Sequence, residues 1–328
     1  MSFHHDYILY YNDMIFNIAL YIFLSYNHFI HVFGVGLMKF EIKSECASAI
    51  LGLDGAMLNS LKKDDTEYLW QGDSEHWAGQ APVCFPIVGV LPDNKGTAFG
   101  KACSMKRHGV ARISPFEVYE QYKNSITFIQ KASDESKKLF PFDYELKIKY
   151  TIVESTVTNE YIITNTGKDK MPFVIGGHPA FNCPLTKEEA FEDYKVIFDK
   201  TMTKRVLRPD HATGLVNVNE RFDALDNSDT ICLKHDLFEE NDAMIFDKIE
   251  SKCATLIGPK GKGIKIEYQD MANLLVWSAC NQADFVALEP WTGISNCSDE
   301  TDEIEKKRGM TVLNPDETAS FKFKITMI

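Results

Sequence analysis

The apolar residues from Met38 onward fall into short runs that polar and turn-forming residues separate. In the stretch Asp143–Val153, aromatic and aliphatic side chains occupy every second position, with charged or polar ones between them. A period of two residues is expected of a β-strand with one buried and one solvated face. Strands are predicted on similar grounds at Met38–Lys43, Ala47–Leu53, Ala56–Lys62, Tyr68–Trp70, Val83–Leu91, Phe116–Glu120, Ser125–Lys131, Ser155–Thr164, Lys195–Phe198, Ala243–Phe246, Ala254–Ile257, Gly263–Tyr268, Leu274–Ser278, Phe285–Leu288 and Ser320–Met327.

The segments between these strands carry turn signals, such as Leu53-Asp-Gly and Asn165-Thr-Gly. Apolar positions at the helical spacing are almost absent, and only Thr186–Ala190 and Asp299–Arg308 are predicted as short helices. Many short strands at intervals of roughly ten residues, with few helices, indicate an all-β sandwich or barrel. No internal repeat or linker divides residues 38–328, so we predict that they form one domain.

Residues 1–37 differ in composition from the rest of the chain, because all 35 lysines and arginines lie from Lys39 onward. Met14–Leu37 is apolar but is interrupted by asparagine and histidine, and it lacks the basic start and the small-residue cleavage site of a signal peptide. Polar groups inside a membrane cost free energy, which makes a membrane span unfavourable without excluding it. Two interpretations of this extension therefore stay open: a segment outside the working fold, with Met38 as the true start, or a membrane anchor.

The net charge and the cysteine pattern argue against some classes of binding partner and bound metal. The formal net charge of −12 argues against nucleic acid and against anionic membrane surfaces. The eight cysteines are scattered without any C-x-x-C pair, so a zinc or thioredoxin-like site has no support and no bound metal is expected. Scattered thiols are typical of proteins in a reducing cytoplasm, which is the location we predict.

The most informative stretch is Met171–Pro184, in which an apolar run stops at two glycines and is followed by His178 and a proline. A residue before proline is restricted to extended conformations, while glycine permits backbone angles that other residues avoid. His178 is thus predicted at the end of a strand on a stiff turn, facing a cleft, where it could serve as an acid. A neutral turn histidine bonded to a backbone carbonyl is the alternative. Phe181 and Asn182 favour the first interpretation, because they offer a flat ring and polar groups to a sugar.

The stretch Val286–Gly293 presents a second ionisable residue in a similar way. Here an apolar strand ends at Glu289, which is followed by Pro290 and Trp291. A carboxylate beside tryptophan in apolar surroundings is partly desolvated, which raises its pKa and makes it a better base. A solvated or ion-paired carboxylate is the alternative. Together with His178, Glu289 suggests an acid and a base facing one substrate across a cleft about as wide as a sugar ring.

A third stretch, Lys106–Arg112, contains His108 before a glycine. Taken alone, it indicates a solvated basic loop. The functional alternative is a substrate clamp, in which His108 or an arginine donates hydrogen bonds to sugar hydroxyls. Asp242 precedes a predicted strand, and by itself it indicates no more than a turn.

These stretches resemble, in order and spacing, the aldose 1-epimerase (galactose mutarotase-like) superfamily, and in particular its small bacterial epimerase-like proteins. The likeness runs from about Met38 to the C-terminus. It implies an all-β fold, a large antiparallel β-sandwich known as a supersandwich. The matching segments are Ala81–Gly89, Arg107–Arg112, Tyr144–Tyr150, Ile175–Pro184, Asn241–Phe246 and Leu288–Gly293.

The resemblance implies an enzyme that interconverts the α and β anomers of a free hexose. Glu289 would be the general base that takes the proton of the anomeric hydroxyl, and His178 the general acid that protonates the ring oxygen. Each step needs one proton removed and one delivered, and no metal or redox cofactor. Together with the surrounding motifs, the expected substrate-binding residues are His108, Arg112, Asp242, Phe181, Asn182 and Trp291.

The chain departs from the family pattern at Val90, where an arginine usually helps to hold the sugar. Valine cannot donate a hydrogen bond, so this contact is lost unless Arg107 or Arg112 replaces it. The departure bears on the identity of the substrate, whereas the acid and base positions are intact.

Two other functions stay open. A hexose-6-phosphate 1-epimerase of the same fold would need basic residues at the cleft, for which Lys106, Arg107 and Arg112 are the candidates. A non-catalytic carbohydrate-binding module would need no acid–base pair, so His178 and Glu289 argue against it. The expected partner is a small-molecule sugar, and the protein is expected to be a monomer or a homodimer.

Overall fold

Antiparallel strands make up most of the chain in the structure, a computed structural model that describes residues 38–328. The predictions for residues 1–37 lie outside the described residues. Among residues 38–328, no helix combines the length and the apolar character that a membrane span requires. The described strands are β1 (Lys39–Lys43), β2 (Ala47–Gly52), β3 (Leu58–Lys63), β4 (Thr66–Glu67), β5 (Val83–Cys84), β6 (Lys95–Ala98), β7 (Lys101–Ser104), β8 (Glu117–Gln121), β9 (Ser125–Lys131), β10 (Tyr144–Val153), β11 (Thr156–Asn165), β12 (Met171–Phe173), β13 (Gly176–Gly177), β14 (Ala180–Asn182), β15 (Lys195–Pro209), β16 (Val216–Cys232), β17 (Ala243–Phe246), β18 (Cys253–Ile257), β19 (Gly263–Glu267), β20 (Asn273–Trp277), β21 (Phe285–Trp291), β22 (Thr311–Leu313) and β23 (Thr318–Met327).

Strand boundaries agree with the prediction where the alternation is clear. β9 and β17 coincide with their predicted segments. Val83–Leu91 is a strand only in β5, because Pro86 has no N–H for a ladder and Gly89 adopts a φ of +65°. β15 continues to Pro209, well beyond the predicted segment, and its partner β16 is missing from the prediction because its sequence is mostly polar.

The helix predictions are wrong. Thr186–Ala190 forms turns, and Asp299–Arg308 contains only a 3₁₀ turn at Ile304–Lys306. The two α-helices of the described residues are α1 (Asp134–Leu139) and α2 (Asp236–Asn241), which are too short to show a helical period. The remaining 3₁₀ turns are Pro92–Asn94, Ala111–Ile113 and Phe191–Asp193.

One large sheet dominates the molecule, and every paired strand in the described chain is antiparallel to its neighbour. Its strands follow the order β5-β13-β21-β20-β17-β15-β18-β19-β23-β11-β10-β9-β8, and β14 and β16 are attached to β21 and β15. β1 to β4 form a second sheet, and Ile42 and Leu51 of that sheet share a hydrophobic core with Phe128 and Ile148 of the large one. The predicted all-β antiparallel sandwich is therefore confirmed.

A row of cross-strand partners crosses one half of the large sheet. Leu207 of β15 pairs with Ile245 of β17, Ile245 with Leu275 of β20, and Leu275 with Glu289 of β21. Directly opposed residues on antiparallel strands project from the same face. Three apolar side chains and the carboxylate of Glu289 thus form one row on the same face of the sheet.

Candidate active site

His178 and Glu289 are cross-strand neighbours. Ala180 of β14 pairs with Ala287 of β21, and β13 pairs with β21 in the same register. Continuing this register by two residues places His178 directly opposite Glu289, so that both side chains lie on the same face of the sheet. The structure therefore brings together the proposed acid and base.

The spacing of the pair differs from the expectation. Nδ1 of His178 lies 3.3 Å from Oε2 of Glu289, so the two groups are in contact and do not face each other across the width of a sugar. The prediction that Glu289 ends a strand is also wrong, because β21 continues to Trp291. Close contact is compatible with the expected anomer interconversion, because the anomeric and ring oxygens of an aldose are bonded to the same carbon atom.

Glu289 is a buried carboxylate without hydrogen-bond donors. It is 1% exposed, and among the described residues neither of its oxygens has a hydrogen-bond partner. Burial raises the pKa of Glu289 well above its ordinary value, and the charge of Asp242 adds to this effect. Buried polar groups are normally satisfied, so an unsatisfied carboxylate is expected where a ligand completes its bonding.

His178 lies among aromatic rings. Trp77 stacks on its imidazole with the ring centroids 4.8 Å apart and an interplanar angle of 19°. Trp277 meets the same imidazole edge-on at 5.3 Å. Burial, followed by the positive charge of Arg112, lowers the pKa of His178 to about 3. The imidazole is therefore neutral near pH 7.

His108 lies beside His178, with the two ring centroids 5.4 Å apart. Nδ1 of His108 accepts a hydrogen bond of 3.1 Å from the backbone N–H of Gly89. Burial, and then the neighbouring His178, keeps the pKa of His108 well below its usual range. In a neutral imidazole with Nδ1 as acceptor, the proton is on Nε2. His108 is thus a hydrogen-bond donor held in a fixed orientation.

The cavity above this pair is open and has a volume of about 320 Å³. Its size falls in the range of small-molecule pockets, and its walls combine aromatic, apolar and ionisable groups. The lining residues are Trp77, Gly89, Arg107, His108, Arg112, His178, Pro209, His211, Gly214, Asp242, Ala243, Ile245, Leu275, Trp277, Glu289, Trp291 and Ser295. The predicted site residues among them are His178, Glu289, His108, Arg112, Asp242 and Trp291.

Asp242 is held in an unusual backbone conformation, with φ +59° and ψ −69°, directly after α2. Its Oδ1 accepts a hydrogen bond of 3.3 Å from Nε1 of Trp277. Desolvation raises the pKa of its carboxyl. Non-glycine residues at such angles cost free energy and are concentrated at functional sites. The backbone geometry therefore supports Asp242 as part of the candidate site, which the sequence around it does not indicate by itself.

Phe181 and Asn182 lie away from the cavity. Phe181 is fully buried in the main hydrophobic core, and Asn182 donates a hydrogen bond of 2.9 Å to the backbone oxygen of Glu67. Side chains alternate between the two faces of a strand, so Phe181, three positions after His178, points away from it. Asn182, four positions after His178, shares its face but lies outside the cavity lining, with its amide bonded to Glu67. The expectation that this pair binds substrate is corrected accordingly.

Val90 also lies outside the cavity lining. Its N–H donates a hydrogen bond of 3.1 Å to Oγ of Ser295. Arg107 and Arg112 both line the cavity, and within residues 38–328 neither forms a salt bridge. The guanidinium groups of Arg107 and Arg112 are thus available to replace the arginine that the family usually carries at the position of Val90.

Trp77, Trp277 and His211 line the cavity although the sequence analysis did not single them out. Trp277 stands two residues after Leu275 on β20, on the same face, which the strand period could have indicated. Trp77 and His211 lie in polar turn regions, where an aromatic ring is the only local signal. His211 and Asp242 also form, with Cys280, a group of side chains that could hold a metal ion.

Comparison with known proteins gives consistent matches along the described chain. A sequence profile of the family described as Aldose 1-epimerase matches residues 38–326. The chain is 35% identical over 302 residues to the chromosomal LacX protein of Lactococcus lactis subsp. lactis, which covers 89% of this chain and 100% of that protein.

Solved structures show the same similarity. A galactose mutarotase related enzyme from Lactobacillus acidophilus has a TM-score of 0.83 and 31% identity, covering 89% of this chain and 97% of its own. A galactose mutarotase-like protein from Lactobacillus casei has a TM-score of 0.81 and 28% identity, covering 89% and 100%. The β-sandwich is therefore of the galactose mutarotase-like type, and this chain belongs to the aldose 1-epimerase family.

Proposed function

We propose that the protein is an aldose 1-epimerase that interconverts the α and β anomers of a free hexose by opening and closing the sugar ring. The observation that carries the proposal is the contact between two buried ionisable groups, His178 and Glu289, at the floor of an open cavity. Neither burial nor strand pairing requires these two groups, and both cost stability when left without partners.

The proposed reaction moves one proton off the anomeric hydroxyl and one onto the ring oxygen. Glu289 accepts the first proton while the C1–O1 bond becomes a carbonyl and the bond from C1 to the ring oxygen breaks. His178 supplies the second proton to that ring oxygen. Rotation about the bond from C1 to C2 presents the other face of the aldehyde, and the two proton transfers then run in reverse to close the ring. No oxidant or reductant is consumed.

Burial determines where the pair keeps its protons before reaction. It favours the neutral form of both groups, so the proton that the pair holds resides mainly on Glu289 and His178 is neutral. Transfer of that proton across the 3.3 Å contact gives the carboxylate and imidazolium that the proposed roles require. Since the charges arise in a poorly solvated site, the carboxylate is a stronger base there than in water.

Replacing Glu289 by glutamine tests this function. Glutamine keeps the size of the side chain but accepts no proton, so anomer exchange should fall by about 10²-fold or more. Exchange is followed by polarimetry or NMR on a panel of freshly dissolved aldoses, with the exposed Glu45→Gln as the matched control. Near wild-type exchange in Glu289→Gln, on a sugar that the parent turns over, would contradict the proposal.

A phosphorylated hexose is the second candidate substrate. Arg107 and Arg112 support it, because both line the cavity and have no carboxylate partner among residues 38–328. The panel should therefore include hexose 6-phosphates. Arg107→Gln and Arg112→Gln should raise KM for a phosphorylated hexose more than for the free sugar if the phosphate binds there. A sugar that binds without any exchange by the parent protein would instead favour a non-catalytic binding module.

We also propose that the protein works in the cytoplasm. All eight cysteines lie within the described residues and are free thiols. This pattern supports a reducing compartment. The monomeric or homodimeric state remains a prediction, and size-exclusion chromatography with light scattering would test it.

A further inference from the structure

Three side chains of metal-binding type lie close together at one side of the cavity, which two of them, His211 and Asp242, also line. His211 follows β15, Asp242 precedes β17, and Cys280 follows β20. One ligand atom from each lies within 4.8 Å of the other two. Three separate segments of the chain thus deliver an imidazole, a carboxylate and a thiol to one place.

Neighbouring groups orient two of these ligands. Nε2 of His211 lies 3.4 Å from the backbone oxygen of Glu240, and a proton on Nε2 leaves the lone pair of Nδ1 free. Oδ1 of Asp242 is held by the indole of Trp277. Outer partners of this kind fix the tautomer and direction of metal ligands in known sites. The thiol of Cys280 donates to the backbone oxygen of Phe238 at 3.1 Å, and this hydrogen bond is given up when the metal displaces the thiol proton.

The set of nitrogen, oxygen and sulfur donors favours one class of ion. Thiolate and imidazole ligands suit Zn²⁺ better than Mg²⁺ or Ca²⁺, which prefer oxygen. Zinc binds such ligands at about 2.0–2.3 Å, so the side chains need to approach one another by roughly 1 Å. His211 and Cys280 are exposed and free to make that adjustment.

We propose that His211, Asp242 and Cys280 bind a zinc ion at this side of the cavity, and that the bound ion competes with the sugar. Binding converts the thiol to a thiolate, and its proton passes to the buffer. Three protein ligands leave a fourth position for water or another ligand. The competition follows because His211 and Asp242 line the same cavity as His178 and Glu289. Only this second half of the proposal rests on the proposed function.

The binding test uses the full chain, with Co²⁺ as a spectroscopic substitute for Zn²⁺. A thiolate bound to cobalt gives charge-transfer absorption in the near ultraviolet, which we expect for the parent and not for Cys280→Ser. In calorimetric titration with Zn²⁺, Cys280→Ser and His211→Gln should each weaken binding by at least about tenfold. Cys46→Ser, which removes another exposed thiol, is the matched control and should bind like the parent.

Two results would overturn the site: no zinc binding by the parent, or unchanged affinity in Cys280→Ser. Because these measurements do not use activity, they remain informative even if the protein turns over no sugar. The competition is tested by adding Zn²⁺ to the anomer-exchange assay. We expect a rise in apparent KM that Cys280→Ser largely abolishes. Zinc that binds through Cys280 without changing KM would overturn the overlap with the sugar.

Discussion

The imidazole of His178 is surrounded by four side chains, those of Trp77, Trp277, His108 and Glu289. This burial lowers the pKa of the imidazole. Its pKa of about 3 predicts that the ring stays neutral through the range in which an ordinary histidine titrates. NMR titration of histidine-labelled protein should show the resonance of His178 without a shift change between about pH 8 and pH 4, and that of His108, whose pKa is also lowered by burial, should behave similarly. His178→Gln assigns the His178 resonance by removing it, and a midpoint near 6.5 would contradict the prediction.

Trp77 is predicted to act through His178 by holding the plane of its ring. Trp77→Ala removes the stacked indole, so the imidazole becomes wetter and more mobile. We expect kcat to fall by roughly 10- to 100-fold, the cost of a small misplacement of a catalytic group, and the pKa of His178 to rise. Trp77→Phe keeps an aromatic face and should restore most of both properties. A change in KM alone would indicate a sugar contact in place of positioning.

At the residue scale, sequence reasoning found the groups whose local context is unusual. His178 and Glu289 stand out because an ionisable residue follows an apolar run and precedes proline. Only the family resemblance indicates Asp242 as a site residue, because its positive φ is not visible in the sequence. The aromatic ring of Phe181 favours a sugar contact, but its position three residues from His178 places it on the opposite face of the strand.

At the scale of elements, the loop after β5 forms one wall of the site through tight backbone packing. A Cβ on Gly89 would lie 2.3 Å from the side chain of Ser295, and Gly89 also donates its N–H to His108. Gly89→Ala should therefore lower the free energy of unfolding by about 1–3 kcal/mol through overpacking, in addition to the cost of its positive φ. Anomer exchange should fall as His108 shifts.

Gly261→Ala is the matched control for this substitution. Gly261 has a similar φ of +74°, but a Cβ there meets nothing within 4 Å. It should therefore show only the backbone cost of about 1–2 kcal/mol and unchanged exchange. Urea denaturation and polarimetry measure the two effects, and equal losses in both variants would show that crowding at Ser295 is unimportant.

Element prediction succeeded where one face of a strand is buried and failed where the chain carries no such contrast. β10 alternates strictly between buried and less buried residues and was predicted almost to its ends. β15 and β16 form a long ribbon with exposed positions on both sides and several register shifts, so their sequence lacks the period of two. For α1 the sequence signals are Ser133 as N-cap, Asp134 and Glu135 in the first turn, and Lys137 and Lys138 in the last turn.

For the whole molecule, the buried histidine pair predicts a loss of stability in acid. An unfolded histidine binds a proton below about pH 6.5, whereas folded His178 does so only near pH 3. Between these values the unfolded state holds more protons, so the free energy of unfolding decreases as the pH falls. His178→Gln should reduce this slope by about 1.4 kcal/mol per pH unit.

Chemical denaturation at intervals from pH 7 to pH 4 would measure that slope. Glu289 contributes with the opposite sign, because its raised pKa lets the folded state bind a proton first as the pH falls below its folded value. Glu289→Gln should therefore make the protein more sensitive to acid than the parent. Identical slopes in all three proteins would contradict the assignment of neutral groups to the site.

The place of β23 in the large sheet has a consequence for synthesis on the ribosome. β23 lies between β19 and β11, so it joins two groups of strands that are translated before it. Until residues 318–327 emerge from the exit tunnel, each group presents an unpaired edge to other nascent chains and to chaperones. Ribosome-bound chains halted before β23 should therefore be digested rapidly by protease, and chains halted on an appended flexible C-terminal linker that brings β23 out of the tunnel should resist. Equal resistance at both lengths would show that the two groups close without β23.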